Sequence, residues 1–192
     1  MIVFLTTEYF VGDLIIPNLV DASASGDIIT DLKRYIVKYE PEFLRYLLGT
    51  KLYDEFLDGM SAETPDIKWT TLKDQIFQKT EITVGPDTTE DYYLSPAANY
   101  VWFFHQRSKQ TFATNVGEQS AKPQNSVMAI SNNKLLSNWN AMAQMVVEFR
   151  TWIALHLDDY PDYQGDDTQN GVYVYPNYPQ RAVDPLGFNT FF

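Results

Sequence analysis

The amino-acid sequence predicts a mainly α-helical fold. We expect a compact helical bundle with a long C-terminal helix, a small β or irregular insertion, and an extended C-terminal arm. Apolar residues recur at helical spacing in several segments, β-branched residues interrupt them between residues 80 and 94, and no helical period continues after Pro161. The sequence therefore predicts a helical body over residues 1–160, with the insertion at residues 80–94, and an arm over residues 161–192.

Two helical segments are predicted on either side of Pro41. The second begins at Pro41 itself, because a first helical turn does not need the N–H that proline lacks. Gly49 is expected to cap this second segment at its C-terminal end. The first segment has apolar residues at helical spacing, which are Ile29, Leu32, Ile36 and Tyr39.

Two further helices are predicted before the insertion. Thr50 is expected to cap the first of them, which ends at Gly59. Thr64 is expected to cap the second, with Pro65 in its first turn. The buried stripe of this second helix is predicted to be Trp69, Leu72 and Ile76.

An aromatic-rich helix is predicted to begin at Ser95 and Pro96, since serine is a good N-cap and proline suits the first turn. Its aromatic residues surround the helix axis instead of lining one face. A helix that is apolar all round is buried or is contacted on several sides. The aromatic residues of this region are Tyr100, Trp102, Phe103, Phe104 and Phe112.

The strongest helical period lies between Leu135 and Ile153 and predicts the longest helix of the chain, closed by Pro161. The arm that follows is rich in proline and tyrosine. Disordered tails that face solvent usually lack aromatic residues. We therefore expect the arm to lie in a groove of its own body or of a neighbouring molecule. Its aromatic residues include Tyr173, Tyr175, Tyr178, Phe188, Phe191 and Phe192.

Composition excludes several kinds of chemistry. The chain has no cysteine, which excludes disulfides, thiol nucleophiles and cysteine-ligated zinc. Its formal net charge of −11 disfavours tight binding to nucleic-acid phosphates, but it suits a surface that DNA passes without sticking. The nearest approach to a basic cluster is Lys33, Arg34 and Lys38, which we interpret as a solvated helix face.

The N-terminus has no basic region followed by a long apolar run, so no signal peptide is predicted. No segment has the roughly 18 apolar residues that a membrane helix needs. We expect a soluble protein that is made in a cytoplasm and has no membrane partner.

No sequence motif predicts a catalytic or cofactor site. Glycine-rich phosphate loops and the G-x-S-x-G elbow are absent, and we expect no cofactor. We interpret His105 and His156 as structural, because neither has a second histidine at i+4 and His105 lacks the partners of a general base. Residues 166–177 resemble the start of a calcium loop, but Asn177 stands where a bidentate glutamate is required, so we expect a solvated turn and no metal.

Two segments carry a family resemblance. They are YEPEFLRYLLGTKLYDEFL at residues 39–57 and YVWFFHQRSKQTFATNVGEQSAKP at residues 100–123, followed by the helix through Trp139 and Phe149. Together they resemble the head–tail connector (adaptor) proteins of tailed bacteriophages, especially those of phages and prophages of gut Bacteroidetes, including crAss-like phages. The resemblance covers most of the body but neither the arm nor residues 80–94.

The resemblance implies a non-catalytic virion protein of the neck, present in the host cytoplasm during assembly. Such a protein forms a homo-oligomeric ring, typically a dodecamer, below the portal protein. It docks the next neck or tail protein and lets DNA pass through its channel without specific binding. The aromatic residues of the helix and of the arm are then expected to make intersubunit or portal contacts. A different class of function stays open: a soluble, non-catalytic binding module whose aromatic groove holds a peptide or a glycan.

Overall fold

The computed structural model of the chain describes residues 2–17, 19, 25–85, 88–114, 117–120 and 132–163. This part of the chain is mainly helical, as predicted. Its helices are α1 (Ser25–Leu48), α2 (Thr50–Ser61), α3 (Ile67–Ile76), α4 (Pro96–Gln110) and α5 (Asn132–Ala154). Its strands form two antiparallel hairpins, β1 (Gln78–Gly85) with β2 (Thr88–Leu94), and β3 (Thr111–Thr114) with β4 (Gly117–Ser120). The first hairpin is the predicted insertion, whereas no sequence pattern predicts the second.

Helix α1 is one continuous helix of 24 residues, and the predicted break at Pro41 is wrong. An internal proline removes one backbone hydrogen bond and crowds the preceding turn. Packing on both sides of the proline offsets this cost. The rings of Tyr39 and Phe43 both lie near the ring of Tyr100 on α4, with centroid distances of 6.1 and 5.4 Å. With 23 residues, α5 is shorter than α1, so it is not the longest helix.

Helices α2 and α3 lie where predicted but have different caps. The N-cap of α2 is Gly49, not Thr50, and its φ of +79° is one that glycine adopts readily. The N-cap of α3 is Asp66, not Thr64, and its carboxylate accepts a hydrogen bond from the backbone N–H of Lys68 at 3.2 Å. The predicted stripe of α3 is confirmed as buried, and consists of Trp69, Leu72 and Ile76.

The contact between α2 and α3 depends on a glycine. Helix α2 continues past Gly59 to Ser61, although Gly59 is predicted to end it. A Cβ atom at Gly59 would overlap the indole ring of Trp69. Only glycine therefore lets the two helices approach as closely as they do.

Helix α4 forms the centre of the core, with α1 on one side and α5 on the other. Helix α1 is antiparallel to α4: Tyr100 Oη donates to Glu42 at 2.7 Å near one end, and Tyr35 Oη donates to Ser108 near the other. On the opposite side, the ring of Phe103 packs against Trp139 of α5 at 4.7 Å. These aromatic contacts join the three helices into one layer.

The N-terminal segment is attached to this layer by a buried carboxylate. Glu40 is 1% exposed, and its two oxygens accept the backbone N–H groups of Phe4 and Leu5 at 2.8 and 3.0 Å. Burial raises the pKa of Glu40 to about 7, although the two N–H donors lower it. The segment beyond this anchor forms two short 3₁₀ turns, Thr7–Tyr9 and Gly12–Leu14.

Residues 161–163 belong to the body, although they are predicted to begin the arm. Helix α5 ends at Ala154, before Pro161. The carboxylate of Asp162 forms an ion pair with Lys51 on α2, and the ring of Tyr163 lies 6.4 Å from that of Phe149. Residues 164–192 lie outside the described residues, as does the calcium-like pattern. Within the described residues, no helix is long and apolar enough to cross a membrane.

Candidate functional site

The hairpin of β1 and β2 projects from the body with both faces uncovered. The side chains of residues 78–83 and 88–92 are all exposed. The hairpin meets the body at its base, where the ring of Tyr93 packs edge-on against Tyr9 with centroids 5.2 Å apart. An isolated two-stranded ribbon is marginally stable at best. A projecting ribbon of this kind is therefore suited to contact another molecule.

One face of the hairpin carries its exposed apolar side chains. Thr80 lies opposite Tyr92, and Ile82 lies opposite Glu90. Opposite residues of an antiparallel pair share a face, as do residues two apart on one strand. Tyr92 and Ile82, which are 42% and 41% exposed, therefore lie on the same face. The other face carries the ion pair between Lys79 and Asp91 at 2.9 Å.

A cleft of about 200 Å³ lies at the base of the hairpin. Four parts of the chain form its walls: the N-terminal segment, the end of β2, the start of α4 and one side of α5. The N-terminal segment, the junction between β2 and α4, and α5 are far apart in sequence, so the cleft exists only in the folded chain. Its apolar and aromatic walls include Tyr9, Val11, Leu14, Tyr92, Tyr93, Leu94 and Met145.

Two asparagines form the polar part of the cleft, and each is 6% exposed. The side-chain amide of Asn99 donates to the backbone oxygen of Asn138 at 3.3 Å, which ties α4 to α5. The side-chain oxygen and nitrogen of Asn138 are both buried without a hydrogen-bond partner among the described residues. A buried polar group without a partner costs about 1–3 kcal/mol. The cleft therefore contains an unsatisfied donor and an unsatisfied acceptor.

The charges at the cleft nearly balance. Asp13 and Lys134 contribute one charge of each sign to the lining. Burial is the main cause that raises the pKa of Tyr9 to about 12, and the nearby Tyr93 and Glu40 add to this rise. Tyr9 therefore keeps its phenolic proton near neutral pH. Such a lining favours a neutral occupant that has hydrogen-bonding groups and apolar or aromatic side chains.

The structure places the predicted aromatic contact residues of α4 in the core of this chain. Tyr100, Trp102 and Phe103 are each at most 1% exposed. Phe104 is partly buried and stacks on Tyr39, with ring centroids 4.5 Å apart and planes 8° from parallel. The intersubunit assignment is therefore corrected for the first three residues, because their rings have no surface left for a second subunit.

The remaining predicted contact residues lie where the structure gives no side-chain information. Phe112 is in strand β3, but its side chain is outside the described part of the structure. The other six all belong to residues 164–192, which are likewise outside it, and their predicted contacts stay predictions. They are Tyr173, Tyr175, Tyr178, Phe188, Phe191 and Phe192.

His105 is a buried member of the helical layer. It is 4% exposed, its Nε2 lies 3.4 Å from a carboxylate oxygen of Asp31, and its ring packs edge-on against Tyr35 at 5.1 Å. Burial lowers the pKa of His105, and nearby Lys109 lowers it further, although Asp31 opposes this shift. The imidazole is therefore favoured in its neutral form and has little surface for a substrate.

His156 lies just after α5 and is bound locally. Its Nδ1 donates to the carbonyl of Trp152 at 2.8 Å, and its ring stacks on the Trp152 indole at 4.6 Å. An interaction of His156 with the negative end of the helix dipole stays a prediction. Across the described residues, no group of three or more histidine and acidic side chains is arranged to hold a metal ion.

Sequence reasoning missed the cleft, although one signal for it is present. Asn138 falls between Leu135 and Met142, at spacings of three and four residues, on the buried face of α5. A polar residue on an otherwise apolar helix face needs a partner inside the protein or in a ligand. By contrast, nothing in the local sequence brings Tyr9 and Tyr92 together.

Comparisons of the chain with protein-family models, with curated proteins and with solved structures find no match.

Proposed function

We propose that this chain is a structural, non-catalytic virion protein, a head–tail connector of a tailed bacteriophage. The projecting hairpin carries the proposal. It offers another chain one exposed face that carries Ile82 and Tyr92 beside Glu90, and a second exposed face that carries the ion pair of Lys79 and Asp91. A connector needs surfaces of this kind, since it works by binding its neighbours.

Two sequence features support the same proposal. The segments at residues 39–57 and 100–123 resemble connector proteins, and the net charge of −11 suits a channel through which DNA passes. In this role the chain forms a homo-oligomeric ring, inferred to be a dodecamer, in the neck of the virion. It binds the portal protein on one side and the next neck or tail protein on the other.

The first test is the copy number of this chain in purified virus-like particles. Quantitative mass spectrometry measures it relative to the portal protein. We expect a ratio near one, because a ring below the portal has a similar number of subunits. Absence of the chain from particles would contradict the connector proposal.

A pair of hairpin variants tests the contact surface itself. Ile82→Asp removes an apolar side chain from the face of Ile82 and Tyr92, whereas Thr83→Asp places the same charge on the other face. We expect Ile82→Asp to reduce incorporation into particles and Thr83→Asp to leave it nearly unchanged. Circular dichroism controls for folding. Equal incorporation of the two variants would exclude the face of Ile82 and Tyr92 as the contact.

The cleft favours a second function, that of a non-catalytic binding module for a peptide or a glycan. Its support is the tyrosine-lined cavity with two buried amides. This function predicts binding by the isolated chain without any particle. Arrays of peptides and of glycans, probed with the purified protein, would separate it from a connector that works only through assembly.

A further inference from the structure

We propose that residues 172–178 of the same molecule bind across the cleft at the base of the hairpin as an extended segment, with tyrosine side chains of the segment in the cleft. This inference goes beyond the connector proposal and does not depend on it. It uses three observations: the size of the cleft, the unsatisfied amide of Asn138, and the place where the described chain ends.

The size of the cleft favours a short stretch of polypeptide. Its volume of about 200 Å³ lies below the roughly 300–1,000 Å³ of most small-molecule and cofactor sites. One or two large side chains and the backbone between them need less room than a cofactor. The tyrosines that line the cleft offer apolar ring faces together with hydroxyl groups.

The amide of Asn138 matches the hydrogen-bonding pattern of a peptide backbone. An asparagine side chain has one acceptor oxygen and two N–H donors. A peptide group beside it can donate to the oxygen and accept from the nitrogen. The terminal torsion of asparagine is soft, so the amide can turn toward an occupant. Such pairing would satisfy both groups that now lack a partner among the described residues.

The segment VYVYPNY, residues 172–178, has the matching chemistry. It alternates valine with tyrosine, so an extended backbone would place Tyr173 and Tyr175 on one side. It has no charged residue, in agreement with the balanced charges of Asp13 and Lys134 at the cleft. Pro176 removes one backbone donor and ends the alternating stretch.

The same molecule can supply this segment. Tyr163, the last described residue, contacts Phe149, which lies about one helical turn along α5 from Met145 in the cleft lining. Residues 164–171 span at most about 29 Å when extended. A segment tethered this closely has a high effective concentration at the cleft, which favours binding within one molecule.

Disulfide trapping in the full-length chain tests the proposal, because the natural sequence has no cysteine. One cysteine replaces Asn177 in the segment. The second replaces either Ser137, which is exposed and lines the cleft, or Ser61, which is exposed at the end of α2. The Ser61→Cys protein is the matched control, since it contains the same arm cysteine.

We expect the Ser137→Cys protein to form its disulfide within one molecule at least about tenfold faster than the control, corresponding to ~1.4 kcal/mol. Replacing Tyr173 and Tyr175 with serine should remove this preference without changing the fold of the body. Equal rates in the two proteins would overturn the proposal. A product linked only between molecules, seen as a dimer on a non-reducing gel, would also overturn it.

These results are independent of the copy number in particles. If the chain is a connector whose cleft is empty, its copy number in particles would be close to that of the portal protein. The Ser137→Cys and Ser61→Cys proteins would then form their disulfides at equal rates. A chain that is absent from particles can still form the disulfide between its arm and its cleft.

Discussion

The helical layer of α1, α4 and α5 and the β1–β2 hairpin use aromatic residues in opposite ways. In the layer, Tyr100 is fully buried and its hydroxyl donates to Glu42. In the hairpin, Tyr92 is 42% exposed and lines the cleft at the hairpin's base. The comparison shows that aromatic content alone does not identify a contact surface, whereas the exposure of each ring does.

The largest expected effect comes from placing a charge in the layer. Phe103→Asp would bury an unpaired carboxylate between α4 and α5, at a position that is 1% exposed. We expect a loss of more than about 4 kcal/mol in the free energy of unfolding, enough to unfold many domains of this size. Urea denaturation followed by circular dichroism measures it.

The matched control for Phe103→Asp is Tyr92→Asp, which places the same charge on the hairpin. Its unfolding midpoint should fall much less, because Tyr92 is 42% exposed and an aspartate at this position keeps its contact with solvent. Similar losses in both variants would mean that the hairpin is as much a part of the core as α4.

A smaller effect is expected from pH, through the anchor of the N-terminal segment. The pKa of Glu40 is raised from 4.5 to about 7 in the folded protein, so the folded state holds this proton more tightly than the unfolded state. The stability that Glu40 contributes is thus present below pH 4.5 and is lost as pH rises through 7. The loss is about 3 kcal/mol, at ~1.4 kcal/mol for each pH unit.

Glu40→Gln isolates this contribution. The variant should lack the decline in stability between pH 5 and 7, while retaining every other titrating group. His105 works in the opposite direction, since its lowered pKa makes stability rise with pH, but it is present in both proteins. If the unfolding free energies of the natural sequence and of Glu40→Gln change in parallel with pH, Glu40 does not cause the decline in stability.

The smallest expected effect concerns the α2–α3 contact. Gly59→Ala would force the new methyl group against the Trp69 ring, at a cost of about 1–3 kcal/mol. Gly26→Ala is the control, because no atom of the described residues lies near its added methyl group and alanine is a better helix former than glycine. Thermal unfolding should therefore shift down for the first variant and slightly up for the second. Equal shifts would contradict the tight contact.

Much of the layer is predictable from sequence, because burial of a helix face imposes a period that local reading detects. The stripes of α3 and α5 are confirmed in this way. The continuity of α1 is not predictable from sequence. The rule that proline begins a helix considers only neighbouring residues, whereas Tyr39 and Phe43 stabilise the helix by packing against Tyr100, which is distant in sequence. For α4, the sequence leaves burial and external contact as alternatives, and the structure shows burial.

The hairpin is predictable as a small β insertion, but its projection from the body is not. Exposure on both faces depends on what surrounds the strands, which short-range patterns do not encode. The cleft is less predictable still, because three separate stretches of the chain form it. Its one signal is Asn138 on an apolar helix face.

The hydrogen bond from Tyr160 to the carbonyl of Lys68 has a consequence for the chain during synthesis. Its two residues are 92 positions apart, and the ring of Tyr160 lies against Trp69. At roughly 5–20 residues per second, a ribosome releases Tyr160 about 5–20 s after Lys68. For that time the Trp69 indole, which already packs against Gly59 of α2, lacks the cover that Tyr160 gives it in the finished protein. The turn at residues 155–163 thus completes the body last, and a chain that stops short of it leaves that surface open to chaperones and proteases.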